Sequence, residues 1–162
     1  MGMMQMVFGV VPILAAVLSG LFAGLFLAFS MAVMPGLART GDRVMVEAMQ
    51  AMNTAILSPL FALVFVGAPV MVLGSTVLFF ASGTHASAVW AGAALVLLMV
   101  AVVVTFTVNV PRNNALEAAG PAARVKDPAA LRAAFEPVWV RWNHLRTVAS
   151  TAGLVCMVMA LA

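Results

Sequence analysis

Apolar positions along the chain gather into four long runs parted by three polar stretches. The runs are continuous instead of alternating, which predicts membrane-length helices and not barrel strands. The first, Met6 to Met34, carries no charge and closes at Pro35-Gly36, where proline removes a backbone donor and glycine loosens the chain. Thr54 to Ala81 and Val89 to Val110 follow, and the last run reaches Ala162. The expected spans are residues 6–34, 54–81, 89–110 and 137–162 of a single domain covering 1–162. Pro59 and Pro69 are candidate kinks in the second run, which neighbouring helices would have to satisfy. Between the first two spans, Ala38 to Asn53 carries Arg39, Asp42, Arg43, Glu47, Gln50 and Asn53 against Val44, Met45, Ala48, Met49 and Met52. That pattern predicts a short amphipathic helix lying at the interface. Asn109 precedes Val110-Pro111, and Asn113-Asn114 are placed to cap the exit from the third helix. Ala115 to Lys126 is expected to be a surface connection, and Asp127-Pro128 supplies an N-cap and a first-turn proline for the final helix. No basic residue precedes the first run, so a retained helix is expected in place of a cleaved signal. The predicted fold class is all-α, an integral membrane four-helix bundle with an interfacial helix before the second span.

Composition agrees. Hydrophobic residues make up 65% of the chain and charged residues 8%, against roughly 25% charged in soluble domains, and the mean hydropathy is +1.15. The basic balance of eight Lys and Arg against five Asp and Glu sits in connections beside apolar runs, so it points to membrane lipid and gives no reason to expect nucleic acid. The single Cys156 builds neither a disulfide framework nor a zinc site. Ser19-Gly20, Ala23-Gly24 and Ala28 form a small-residue stripe suited to close helix approach, which would also suit a homo-oligomer.

Charge placement predicts topology. All eight basic residues, Arg39, Arg43, Arg112, Arg124, Lys126, Arg132, Arg141 and Arg146, lie in or beside the first and third connections. The positive-inside bias then puts those connections in the cytoplasm and both termini outside, in what is expected to be a bacterial cytoplasmic membrane. Gln50, Asn53, Asn109, Asn113, Asn114, Trp142, Asn143, His144 and Arg146 would all meet at the cytoplasmic end of the bundle. His85 is left about 30 Å away.

The fourth run is the anomalous one. Val148 to Ala162 is 15 residues, about 22 Å of helix, too short for a hydrocarbon core of roughly 30 Å. The helix must draw in residues of the stretch Val138-Trp139-Val140-Arg141-Trp142-Asn143-His144-Leu145-Arg146, and ionisable groups at that depth usually face a bundle interior. An interfacial belt of Trp139 and Trp142 with snorkelling arginines is the plainer alternative. At about 100° per residue, His144 and Arg146 are about 200° apart and cannot both enter one narrow cavity. Arg146 with Trp142 and Asn143 is the expected inward group; His144 is either the base or an interfacial histidine. No metal-ligand spacing is present. A site of His144 with Glu47 or Glu136 stays open, but no metal residue is assigned.

Ala23-Gly24-Leu25-Phe26-Leu27-Ala28-Phe29-Ser30 followed by Val33-Met34-Pro35, Ala48-Met49-Gln50-Ala51-Met52-Asn53 with Pro59-Leu60-Phe61, Asn109-Val110-Pro111 with Asn113-Asn114, and Trp139 to Thr147 occur in this order along the chain. Across nearly its whole length the sequence resembles the anthrone oxygenase-like family of small four-helix membrane proteins. That resemblance implies an O₂-dependent oxidase or monooxygenase acting on an anthrone- or hydroquinone-like aromatic. O₂ would be co-substrate and no cofactor is implied. It would cast His144 as base, with Arg146 and Asn143 in the chemistry and donors for a developing oxyanion. Gln50, Asn53, Asn109, Asn113, Trp139 and Trp142 would bind substrate. A membrane protein that binds or transports a quinone or other aromatic, and an assembly subunit without catalysis, are the competing expectations.

Overall fold

The computed structural model describes residues 3–162, with side chains from residue 9 onward. Among these residues the chain is helical and contains no strand. Helix α1 (Met3–Ala28) passes through a π turn (Phe29–Val33) into α2 (Met34–Leu37). Helix α3 (Asp42–Ala55) precedes α4 (Pro59–Ala81). Helix α5 (His85–Val104) passes through a second π turn (Thr105–Asn109) into α6 (Val110–Ala118), and a short 3₁₀ turn (Ala122–Arg124) leads to α7 (Pro128–Leu161). Four continuous helical stretches, Gly9–Leu37, Pro59–Ala81, His85–Ala118 and Pro128–Leu161, are long and apolar enough to cross a membrane.

Helices α1 and α5 each pack on both α4 and α7, which closes a four-helix ring. Away from the charged connections its centre is filled by Ala15, Phe22, Phe65, Ala68, Ala91, Ala94, Leu98 and Met157. Lipid tails offer no hydrophobic drive between helices, so close contact of small residues has to do that work. At Gly153 an added Cβ would sit 3.3 Å from both the Ala94 carbonyl oxygen and Leu98, so α5 and α7 touch there almost backbone to backbone. The α4–α5 turn uses Gly83 at φ 78°, a conformation that side chains with a Cβ resist.

Several expectations are corrected by these boundaries. Pro59 is not a kink: it occupies the first turn of α4 behind the N-cap Ser58, whose Oγ accepts from the Phe61 N–H at 3.2 Å. The second run therefore breaks at Ile56–Ser58, and its helix is 23 residues long. The third helix does not stop near Asn109–Val110 but continues to Ala118, so Asn113 and Asn114 lie inside α6 and cap nothing. The π turn explains the continuation. Pro111 has no N–H, and its ring would clash with a carbonyl one turn back; widening that turn relieves the clash. The N–H of Val110, directly before the proline, bonds to Thr105 O, as Met34 before Pro35 bonds to Phe29 O. Asp127 and Pro128 start α7 as expected, with Asp127 Oδ1 accepting from Ala130 N–H at 2.9 Å.

The amphipathic helix is present. Met45, Val46 and Met49 of α3 are buried against Leu116, Phe135 and Trp139. Its polar side stitches the two charged connections together. Gln50 Nε2 donates to Leu116 O and Gly120 O at 2.9 Å each, and Arg43 donates to Ala122 O and Val125 O. From α7, Arg132 returns to Thr40 O, Ala38 O and the carboxylates of Asp42 and Glu136.

Candidate functional site

Trp139, Asn143 and Arg146 stand at intervals of four and three along α7, so they share one stripe of the helix. That stripe faces the ring interior: the three residues are 4%, 1% and 5% exposed. Removing a guanidinium from water costs several kcal/mol unless partners replace the hydration shell. The partners here are neutral. Arg146 Nη2 donates to Asn143 Oδ1 at 2.8 Å, and Nη1 donates to Thr105 Oγ1 at 3.2 Å. Its Cζ lies 4.4 Å from the Phe26 ring centroid and 5.2 Å from that of Trp139, so two aromatic faces supplement the hydrogen bonds. Among the described residues only Arg132 forms ion pairs with carboxylates, and the buried Arg146 Nε has no hydrogen-bond partner.

Both π turns hold this group. The first carries Ser30, whose Oγ accepts from Asn143 Nδ2 at 2.8 Å and also meets Thr147 Oγ1 at 2.8 Å and His144 Nδ1 at 3.1 Å. Asn143 Nδ2 further donates to Phe26 O at 3.1 Å. Because the Asn143 amide nitrogen donates to α1 and its π turn, its Oδ1 is left to Arg146. The second π turn supplies Thr105 and Asn109. Asn109 Nδ2 donates to Trp139 O at 3.3 Å, which leaves its buried Oδ1 without a partner among the described residues. Trp139 Nε1 donates to Asn113 Oδ1 at 2.9 Å.

These residues form one wall of a cavity of about 400 Å³, within the range typical of small-molecule sites. Phe26, Phe29, Phe61, Phe65 and Phe106 give it aromatic sides; Met49, Met52, Ile56 and Leu57 cover it from α3 and the break before α4. Arg146, Asn143, Asn109 and Thr105 are its deep polar groups, while Asn53, Asn113, Asn114 and Glu117 lie toward the charged connections. The space exists because α4 starts late. Where α7 runs on for a further three turns beside α5 and α6, the position across the ring is taken by the thinner cover of α3 and Ile56–Ser58. The cavity is aromatic along its sides and polar at its deep end.

Of the residues expected to form a site, Asn53, Asn109, Asn113, Trp139, Asn143 and Arg146 all line this cavity. Asn109 and Asn143 do not bond each other; they share the cavity. Gln50 does not line it and is engaged with the end of α6. Trp142 is half-buried and outside it, because Trp139, seven residues from Arg146, falls closer to the inward stripe. His144 is exposed and touches the site through Ser30 alone. Among the described residues no three His, Cys, Asp or Glu side chains gather, so Glu47 and Glu136 do not join His144. Ser30, Thr105, Phe26 and Glu117 also surround this site, though none of them is among the residues expected to form it. A usable signal existed for three of them: Ser30 and Thr105 are hydroxyls five and six residues ahead of a proline, and Glu117 continues the four-residue spacing of Asn109 and Asn113.

Residues 59–156, from the start of α4 through most of α7, match a family model described as Anthrone oxygenase. The match takes in Asn109, Asn143 and Arg146. No curated protein and no solved structure matches the chain.

Proposed function

The chain belongs to the anthrone oxygenase family, and from that premise we propose that it is a membrane-embedded, O₂-dependent oxidase of the monooxygenase type, acting on an anthrone- or hydroquinone-like aromatic. The observation that carries the reading is Arg146: a buried guanidinium with a free Nε and no carboxylate partner among the described residues, at the deep end of an aromatic cavity. A cation in that state favours a ligand that is, or becomes, an anion. Loss of a methylene proton converts an anthrone to an enolate whose oxygen Arg146 would face. The enolate gives one electron to O₂, the superoxide and ring radical combine as a peroxide anion that takes up a proton from water to give a hydroperoxide, and loss of water leaves the quinone carbonyl. One oxygen atom enters the product and the other leaves as water. The protein's part is to stabilise the enolate and enclose the rings, and O₂ enters as co-substrate. Asn143 fixes the guanidinium, while Asn53, Asn109 and Asn113 offer hydrogen bonds to ring substituents.

Orientation belongs to the same proposal. With every basic residue but the buried Arg146 lying toward the first and third connections, the cavity mouth faces the cytoplasm and the termini lie outside. In a Cys156→Ala background, externally added thiol reagent is expected to label His85→Cys and spare Ala123→Cys; the opposite pattern overturns the orientation.

The activity test is direct. Purified protein in detergent, given anthrone and O₂, is expected to consume equimolar O₂ and form the quinone, and Arg146→Lys is expected to lose most of that rate because an ammonium lacks the forked geometry. Saturable aromatic binding without oxygen uptake would replace the oxidase by a binding or transport protein.

A further inference from the structure

Enolate formation needs a proton acceptor, and the residues around the cavity narrow the choice. Only two of them are ionisable, Arg146 and Glu117. The first is the cation that stabilises the product of proton loss. His144, the obvious candidate by residue type, lies outside the cavity behind Ser30. Resting on the oxidase reading above, we propose that Glu117 is the proton acceptor of this site.

The helix that carries it gives the geometry. Asn109, Asn113 and Glu117 recur every four residues through the second π turn and α6, and all three line the cavity. They form a polar track from the deep end to the mouth, about 12 Å long at 1.5 Å per residue. Side chains on a helix lean toward its N-terminus, which turns the Glu117 carboxylate back down that track toward Asn109. Glu117 takes part in neither ion pair and is exposed, so a proton it receives passes to bulk water.

Substrate shape completes the placement. In an anthrone the carbonyl carbon and the methylene carbon stand opposite each other across the central ring. An oxygen anchored at Arg146 therefore aims the methylene C–H bonds away from the deep end, toward Glu117. The gap left between them suits a water held by Asn113 or Asn114, which bridges at little cost compared with a direct contact. In the step itself the C–H bond breaks, its electron pair enters the ring as enolate, and the proton passes through that water to the carboxylate. No oxidant takes part.

Because the step precedes O₂, it can be watched without O₂. Under argon in D₂O, wild-type protein is expected to exchange the methylene hydrogens of anthrone for deuterium faster than the buffer does. Glu117→Gln is expected to slow that exchange at least a hundredfold, within the usual range for general acid–base groups. It should lower kcat for aerobic turnover in proportion and leave KM within about twofold, since the amide keeps the size of the side chain. Glu117→Asp, a carboxylate one methylene shorter, is expected to recover about a tenth of the wild-type exchange rate. Near-wild-type exchange and kcat in Glu117→Gln overturn the assignment while leaving the oxidase reading intact. A rise in KM with kcat unchanged also overturns it and makes Glu117 a binding group. Wild-type protein that neither exchanges nor oxidises anthrone sinks the oxidase reading and this assignment together.

Discussion

In the first hairpin the returning helix, α4, begins at Pro59 and runs 23 residues; in the second, α7 begins at Pro128 and runs 34. The two hairpins otherwise share a plan. Each outgoing helix passes through a π turn that closes two residues before a proline, each connection carries charge, and each returning helix opens with a side-chain N-cap followed by proline. The unequal returns decide what each half does. The longer helix brings Trp139, Asn143 and Arg146 to the charged end of the ring; the shorter one leaves the space those residues face. The cavity in this bundle is thus a difference in helix length: the second hairpin brings its polar wall, and the first adds aromatic sides and the amphipathic cover.

Substitutions in the longer return should have the largest effect. Arg146→Met removes the charge but keeps the length of the side chain, and turnover of anthrone is expected to fall by roughly 10²–10³-fold, the scale seen when a single oxyanion donor is lost; steady-state oxygen uptake checks it. Filling the shorter return's space comes next. Leu57→Trp adds bulk at the cavity cover, where Leu57 is 78% exposed, so the fold is expected to persist while KM rises about tenfold, a change of roughly 1.4 kcal/mol. Unchanged KM would show that substrate does not use the space left by α4. Gly153→Leu tests the packed contact of α5 with α7, away from the cavity lining: forcing α5 from α7 is expected to cost about 1–3 kcal/mol, read as a lower Tm in detergent. Gln50→Ala removes both bonds to the end of α6 and should cost about 1–2 kcal/mol, with a change in KM larger than that in kcat because the cover loosens. The smallest effect belongs to Asp127→Ala, about 1 kcal/mol for a lost N-cap, measured by thermal unfolding with turnover at low temperature unchanged.

Much of the fold is legible in the sequence because the bilayer imposes so simple a requirement. Long apolar runs mark the four helices, alternating faces mark α3, and Asp127-Pro128 marks the start of α7. The shortage of apolar residues after Val148 already draws Asn143 and Arg146 inward. Helix ends are harder. Pro111 reads as a stop, yet a π turn absorbs it and α6 carries Asn113, Asn114 and Glu117 onward. Pro59 reads as a kink, yet it opens a helix, because the preceding Ser58 caps Phe61. Residue chemistry also ranks His144 above Glu117 as a base, whereas the ring geometry turns His144 outward and Glu117 into the cavity. Trp142 and Trp139 are alike in type and differ only by the helical angle that separates them from Arg146.

Each π turn encloses one residue more than a regular turn, so it acts on the helix as a single insertion does. Everything before it is rotated by about 100° relative to everything after it. The membrane-spanning part of α1 and the stretch around Pro35 are therefore set in different phases, as are α5 and α6. Deleting one residue within Phe29–Val33 would leave the helix nearly as long and just as apolar, but would restore a uniform phase and swing Ser30 off Asn143. Hydropathy would not register the change. In these two helices the position of every polar contact is fixed by residue number modulo a turn, so a gap of one residue is a larger event than most substitutions.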